Sequence, residues 1–165
     1  MNRRIFLLGA GTLVLALPFI KGASAMGLLG KEKKQKFSFH LSDEEWRNRL
    51  TEQQYNVLRR HDTERSASSP LNDEKRNGLY RCVGCGWLLF SSESKFESGT
   101  GWPSFWQPAN EDSVGTSTDY KMIVPRTEVH CANCGGHLGH VFKDGPPPTG
   151  LRYCMNGVAM VFNPI

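Results

Sequence analysis

Two C-x-x-C pairs constrain this chain more than any other feature. Cys82-Val83-Gly84-Cys85 and Cys131-Ala132-Asn133-Cys134 each sit in a Gly-rich turn, the arrangement that aims two thiolates at one tetrahedral metal. Any fold must bring these turns together across the 45 residues that part them. A nucleic-acid zinc ribbon usually has about 15–20 residues there, so the metal is expected to clamp two distant parts of a larger sheet. Four thiolates fill a tetrahedral zinc and leave no open position, which argues for a structural ion. Two disulfides are the alternative that an oxidising compartment would permit; the shape of the turns favours zinc.

One of the five cysteines remains, Cys154 in Arg152-Tyr153-Cys154-Met155-Asn156. A lone strand cysteine is often a small buried hydrophobe. On a strand, however, residues 152, 154 and 156 project to one face, so a cation and an amide flank this thiol. Arg152 would favour the nucleophilic thiolate, and Asn156 could orient substrate or water. His137-Leu138-Gly139-His140 adds two imidazoles able to move a proton near neutral pH if the segment folds back beside residues 152–156. A second metal pair, polar core residues and surface histidines are the plainer readings. Ser98-Gly99-Thr100-Gly101-Trp102-Pro103-Ser104-Phe105 is an aromatic loop whose Trp102 could wall a small substrate group or simply pack in the core.

The first 25 residues read as an export signal. Met1-Asn2-Arg3-Arg4 is followed by an apolar run from Ile5 to Ile20 and by Ala23-Ser24-Ala25, a small-residue cleavage site. The run is short for a bilayer span of about 20 residues, so cleavage is expected over a retained anchor, with no stable membrane span afterwards. Arg3-Arg4-Ile5-Phe6-Leu7 is similar to a twin-arginine signal, which points to export, to a periplasm, of a protein folded with its metal. Removing Arg3, Arg4 and Lys21 leaves 17 of 20 basic residues against 16 acidic ones and takes the formal charge from +4 to +1. The basic balance thus belongs to the signal and gives no support for a nucleic-acid partner.

Residues 26–41 read as a polar leader. Ser42-Asp43-Glu44-Glu45 and Thr51-Glu52-Gln53-Gln54 are capping boxes that open two short helices, the first with Trp46 and Leu50 one turn apart, the second with Tyr55, Val57 and Leu58. Arg59, Arg60 and His61 close the second, where cations suit the helix dipole. Residues 62–78 read as loop. Short strands are expected at Leu79–Arg81, Trp87–Phe90, Met122–Val124, Glu128–His130, His137–Phe142 and Leu151–Phe162, with Asn110–Asp119 and Asp144–Gly150 turn-forming. The class is mainly β, a mostly antiparallel domain over residues 42–165 behind two short N-terminal helices.

Together these segments resemble the methionine-R-sulfoxide reductase B family from about residue 42 to residue 163. The most specific parts are Gly99 to Phe105, the two knuckles, His137-Leu138-Gly139-His140-Val141-Phe142, Asp144-Gly145-Pro146 and Thr149 to Asn156. The resemblance implies two antiparallel β-sheets of the Mss4-like, β-tent type, with one structural zinc on Cys82, Cys85, Cys131 and Cys134. It makes Cys154 the nucleophile that reduces the R epimer of methionine sulfoxide, free or in proteins, through a sulfenic acid. His140 is implied as general acid and His137 as its positioning neighbour. Asn156 would hold a bridging water or the histidines, Trp102 would receive the S-methyl group, and Arg152 would lower the thiol pKa. Many members carry a resolving cysteine where this chain has Thr100. An external thiol such as a thioredoxin-like or glutaredoxin-like protein is therefore implied as reductant. The expected protein is a monomeric repair enzyme against oxidative stress. Two other readings compete. A zinc-ribbon interaction module would need neither Cys154 nor the histidines. A metal hydrolase on His137 and His140 would need a further ligand and an open metal position.

Overall fold

The computed structural model describes residues 37–121 and 123–165; the segment expected to be an export signal and the leader up to residue 36 lie outside the described residues. Helix α1 (Asp43–Arg49) and helix α2 (Glu52–Arg60) both begin at capping boxes. The Ser42 hydroxyl accepts the Glu45 N–H while the Glu45 carboxylate accepts the Ser42 N–H, and Thr51 and Gln54 repeat the exchange. Helices this short are marginal alone. They persist because Trp46, Tyr55, Val57 and Leu58 are buried against the sheets. The last leader residues are less polar in effect than their sequence neighbours: Phe39 and Leu41 pack on the core.

Two antiparallel sheets follow. The smaller has the order β2–β1–β9, with β1 (Gly78–Cys82), β2 (Leu88–Ser91) and β9 (Met160–Pro164). The larger runs β3–β4–β8–β7–β6–β5, with β3 (Lys95–Phe96), β4 (Ser104–Phe105), β5 (Val114–Asp119), β6 (Arg126–Cys131), β7 (His137–Phe142) and β8 (Arg152–Met155). Fully buried Tyr80, Leu89 and Phe90 from the first sheet meet Phe105, Leu138 and Met155 from the second. Phe90 stacks on Phe105 at 4.3 Å, and Tyr80 meets the same ring edge-on at 4.9 Å. Each such side chain contributes about 1.5–3 kcal/mol by leaving water.

Three sequence expectations change. Leu151–Phe162 is not one strand but β8 and β9, in different sheets, parted by a 3-10 turn at Gly157–Ala159. The cause is Glu64, whose carboxylate takes the Gly157 and Val158 N–H groups and so removes them from any ladder. Within Asn110–Asp119, Val114–Asp119 is strand β5, paired with β6 over six registered positions. It is an edge strand with exposed Thr116, Ser117 and Thr118, so it lacks the apolar pattern of a buried strand. The strand expected at Met122–Val124 is not formed at Ile123 and Val124, which are exposed bends, while Met122 lies outside the described residues.

Candidate active site

The two knuckles are built alike. Cys82 accepts the Gly86 N–H through its carbonyl, and Cys131 accepts the Gly135 N–H, at 2.8 and 2.9 Å. Gly86 and Gly135 hold φ of 75° and 69°, the left-handed region that glycine adopts without strain. The four sulfurs lie within 4.8 Å of one another, with Cys82–Cys134 at 3.8 Å and Cys85–Cys131 at 3.6 Å. A tetrahedral zinc with bonds of about 2.3 Å sets its sulfurs roughly 3.8 Å apart, so the spacing fits a metal. All five cysteines are free thiols. Cys82 ends β1 and Cys131 ends β6, so an ion held here ties one sheet to the other.

Cys154 stands on β8, half-buried, between Ser104 of β4 and His140 of β7 in register. The close approach of β7 needs Gly139, because a Cβ there would strike the Cys154 carbonyl and the Met155 backbone. This explains the glycine inside His137-Leu138-Gly139-His140. Cys154, His140, Asn156, Trp102, Arg126 and Phe142 line one cleft of about 120 Å³. Thr100 is beside it, its hydroxyl 3.6 Å from the Cys154 sulfur. The position where the family resemblance implies a resolving cysteine in many members is therefore in contact with the Cys154 thiol.

The expected site residues are not all used as expected. His140 lines the cleft and its Nε2 is 2.8 Å from Asp119. Burial pushes the His140 imidazole below its ordinary pKa, and the Asp119 hydrogen bond works against that fall. Asp119 itself sits well below the carboxylate range, held by the Lys121 N–H, His140 and Arg126. His137 does not line the cleft. It is buried behind His140, ring centroids 5.4 Å apart, with Nδ1 2.6 Å from Glu128. Asn156 grips backbone and not imidazole: its amide donates to the Leu138 carbonyl at 3.0 Å and accepts the Glu64 N–H at 2.9 Å. It thereby fixes the strand that carries both histidines. Arg152 makes a two-pronged pair with Asp144 at 2.9 and 3.0 Å and lies over the Phe142 ring. Its guanidinium is held charged by Asp144 first, then by the neighbouring Cys154 side chain.

Thr63 and Arg126 of the cleft wall escaped the sequence reading, as did four residues that brace the site. Glu64, Asp119 and Glu128 had no motif to mark them, and His61 read as a helix-end cation. Glu64 is the most connected: its carbonyl accepts the Trp102 indole N–H at 3.1 Å, its N–H bonds Asn156, and its carboxylate caps the turn after β8. Of the two groups of potential metal ligands among the described residues, one is the four cysteines and the other is His61, Glu128 and His137. His140 belongs to neither, so His137 and His140 do not converge as a pair of ligands among the described residues.

A half-buried thiol beside imidazole, in a cleft on a β scaffold whose other four cysteines could hold a metal, fits the class of thiol-based oxidoreductases. Residues 50–164 match the SelR domain family. The chain is 53% identical over 124 residues to "Peptide methionine sulfoxide reductase MsrB" of Agrobacterium fabrum, covering 75% of this chain and 92% of the relative. It is 48% identical over 126 residues to the protein of that name from Leptospira interrogans, covering 76% and 96%, and 53% identical over 121 residues to that of Methanosarcina barkeri, covering 73% and 85%. The chain belongs to the MsrB family of peptide methionine sulfoxide reductases, and its reaction is the reduction of methionine sulfoxide.

Proposed function

We propose that this protein reduces the R epimer of methionine sulfoxide, free or within oxidised proteins, with Cys154 as nucleophile and an external thiol as reductant. The observation that carries the reading is the convergence of Cys154, His140 and Trp102 on one small cleft. A sulfoxide sulfur is pyramidal, with methyl, oxygen and the side-chain methylene at three corners. With the methyl against Trp102 and the oxygen at His140, only one epimer turns its methylene outward to the rest of the substrate.

Proton delivery from His140 to the sulfoxide oxygen makes the sulfur electrophilic, and the Cys154 thiolate attacks it. The oxygen passes to the cysteine, giving methionine and a Cys154 sulfenic acid. Two external thiols then return Cys154 to the thiol, leaving their disulfide and one water. Arg152 supports the thiolate, His137 positions His140, and Asn156 holds the histidine strand. Thr100 in contact with Cys154 supports dependence on an external thiol, such as a thioredoxin-like or glutaredoxin-like protein, because a hydroxyl cannot form the internal disulfide. Zinc at Cys82, Cys85, Cys131 and Cys134 stabilises the fold and stays outside the reaction. The full reading is a monomeric repair enzyme, exported to the periplasm by the twin-arginine route and cleaved after residue 25, with no nucleic-acid partner.

The test supplies each epimer separately to the zinc-loaded protein, with dithiothreitol as donor and Cys154→Ser alongside. Turnover of the R epimer alone, absent in the variant, is the expected result. No turnover of either epimer by a folded, metal-loaded protein would sink the reading and leave a metal-stapled interaction module.

A further inference from the structure

Behind the cleft lies a carboxylate that three elements share. Glu128 of β6 is 8% exposed, and its oxygens are all engaged. One oxygen is 2.6 Å from His137 Nδ1 of β7 and 2.8 Å from His61 Nδ1 at the end of α2. The other accepts the Ser117 hydroxyl of β5 at 2.6 Å. Burial alone would push this carboxyl up. The bonds from His137, His61 and Ser117 outweigh that and hold it well below the carboxylate range. An ionised carboxylate only accepts hydrogen bonds, so His137 must present Nδ1–H to it.

We infer that Glu128 is a positioning residue for the reduction: it fixes His137 as the Nδ1–H tautomer, with Nε2 alone free to exchange a proton. The inference rests on the reading of His137 as part of the reaction. A histidine with both nitrogens unassigned rotates and samples two tautomers; one tied through Nδ1 to an anion does neither. His61 completes the clamp. It holds a left-handed φ of 57°, its ring is 5.0 Å from that of His137, and it stands between Glu128 and solvent. The other titratable groups facing this cluster are His140 on β7, with its Asp119 and Arg126 partners, and buried His130 on β6.

Two measurements test this. The nitrogen-15 imidazole shifts of the wild-type zinc-loaded protein report the His137 tautomer without any turnover, and Nδ1–H is expected. Finding His137 protonated at Nε2 alone would overturn the inference whatever the variants do. Glu128→Gln is then compared with His137→Ala and the double variant in kcat and KM across pH. The expected result is a kcat loss of roughly tenfold or more in Glu128→Gln, below the roughly hundredfold or more that a positioned acid–base group itself supplies. KM should hold and the double variant should resemble His137→Ala. Wild-type kcat in Glu128→Gln with a deficient His137→Ala would overturn the role of Glu128. Wild-type kcat in His137→Ala would mean that the reading of His137 itself has failed. His61→Ala is the milder variant should Glu128→Gln not fold, and the His137 Nδ1–H signal should broaden in it. A second metal ion per chain, lost in His61→Ala, would also overturn the inference, since the same three donors can converge on an ion.

Discussion

His140 carries two opposed influences, and the balance between them sets the pH at which it can act. Burial lowers its proton affinity; Asp119, 2.8 Å away, raises it, while Arg126 and His137 lower it further. Asp119→Asn removes the anion and leaves Arg126 facing the imidazole uncompensated. A general acid must hold its proton, so turnover falls as pH rises through its pKa. In Asp119→Asn that fall is expected at lower pH, with kcat reduced at a fixed alkaline pH and KM for methionine sulfoxide little changed. A kcat profile on the R epimer checks it; an unmoved alkaline limb would remove His140 as the acid. Cys154 needed no partner to be found, since elimination among five cysteines isolates it. His140 was legible as an imidazole, but its proton affinity belongs to Asp119, which the sequence displays only as the last residue of a polar run.

β8 and the turn after it form the element on which the site hangs. Glu64 reaches this turn from the segment after α2 and bonds both Gly157 and Val158 through its carboxylate. The same residue holds Trp102 by its carbonyl and Asn156 by its N–H. Burial pushes the Glu64 carboxyl up in spite of the two backbone donors, so the turn keeps a costly group because nothing else satisfies those N–H groups. Glu64→Gln sets an amide NH2 against one of them. A loss of about 1–3 kcal/mol is expected for the unsatisfied donor, read as a lower urea midpoint. KM for methionine sulfoxide should rise with it, because Trp102 and Asn156 lose a common support. An unchanged midpoint would show that the turn does not depend on this carboxylate. The helix starts were readable to the residue, as both capping boxes are local. β5 and the β8–β9 break were not, because an edge strand shows no apolar alternation and a distant carboxylate ended the ladder.

The two sheets are joined by packing and by sulfur. Tyr80, Phe90 and Phe105 close the apolar contact, and Cys82 and Cys131 bring an end of each sheet to one cluster. With zinc on the four cysteines, as proposed, its removal by chelation or by Cys82→Ser should loosen that end while the aromatic core keeps the rest folded. A destabilisation on the order of 5 kcal/mol is expected, part of the roughly 10–16 kcal/mol that metal supplies to small zinc modules. Thermal unfolding with metal analysis alongside checks it; equal melting with and without one bound zinc would refute the clamp. Among the described residues no helix is long and apolar enough to cross a membrane. Residues close together in the chain determined much on their own: the capping boxes, the knuckles and the histidine pair rest on spacing within a few residues, which backbone geometry converts directly into direction. The spare thiol came from counting cysteines, and the position at Thr100 from the family resemblance. Tertiary structure decided the rest. Glu64 meets Asn156 across 92 residues of chain, Glu128 serves His61 and His137 from separate elements, and Asp119 reaches His140 only through the order β5–β6–β7. A hydrogen bond needs its two atoms within about 3 Å, and only strand register and sheet order bring such distant residues that close.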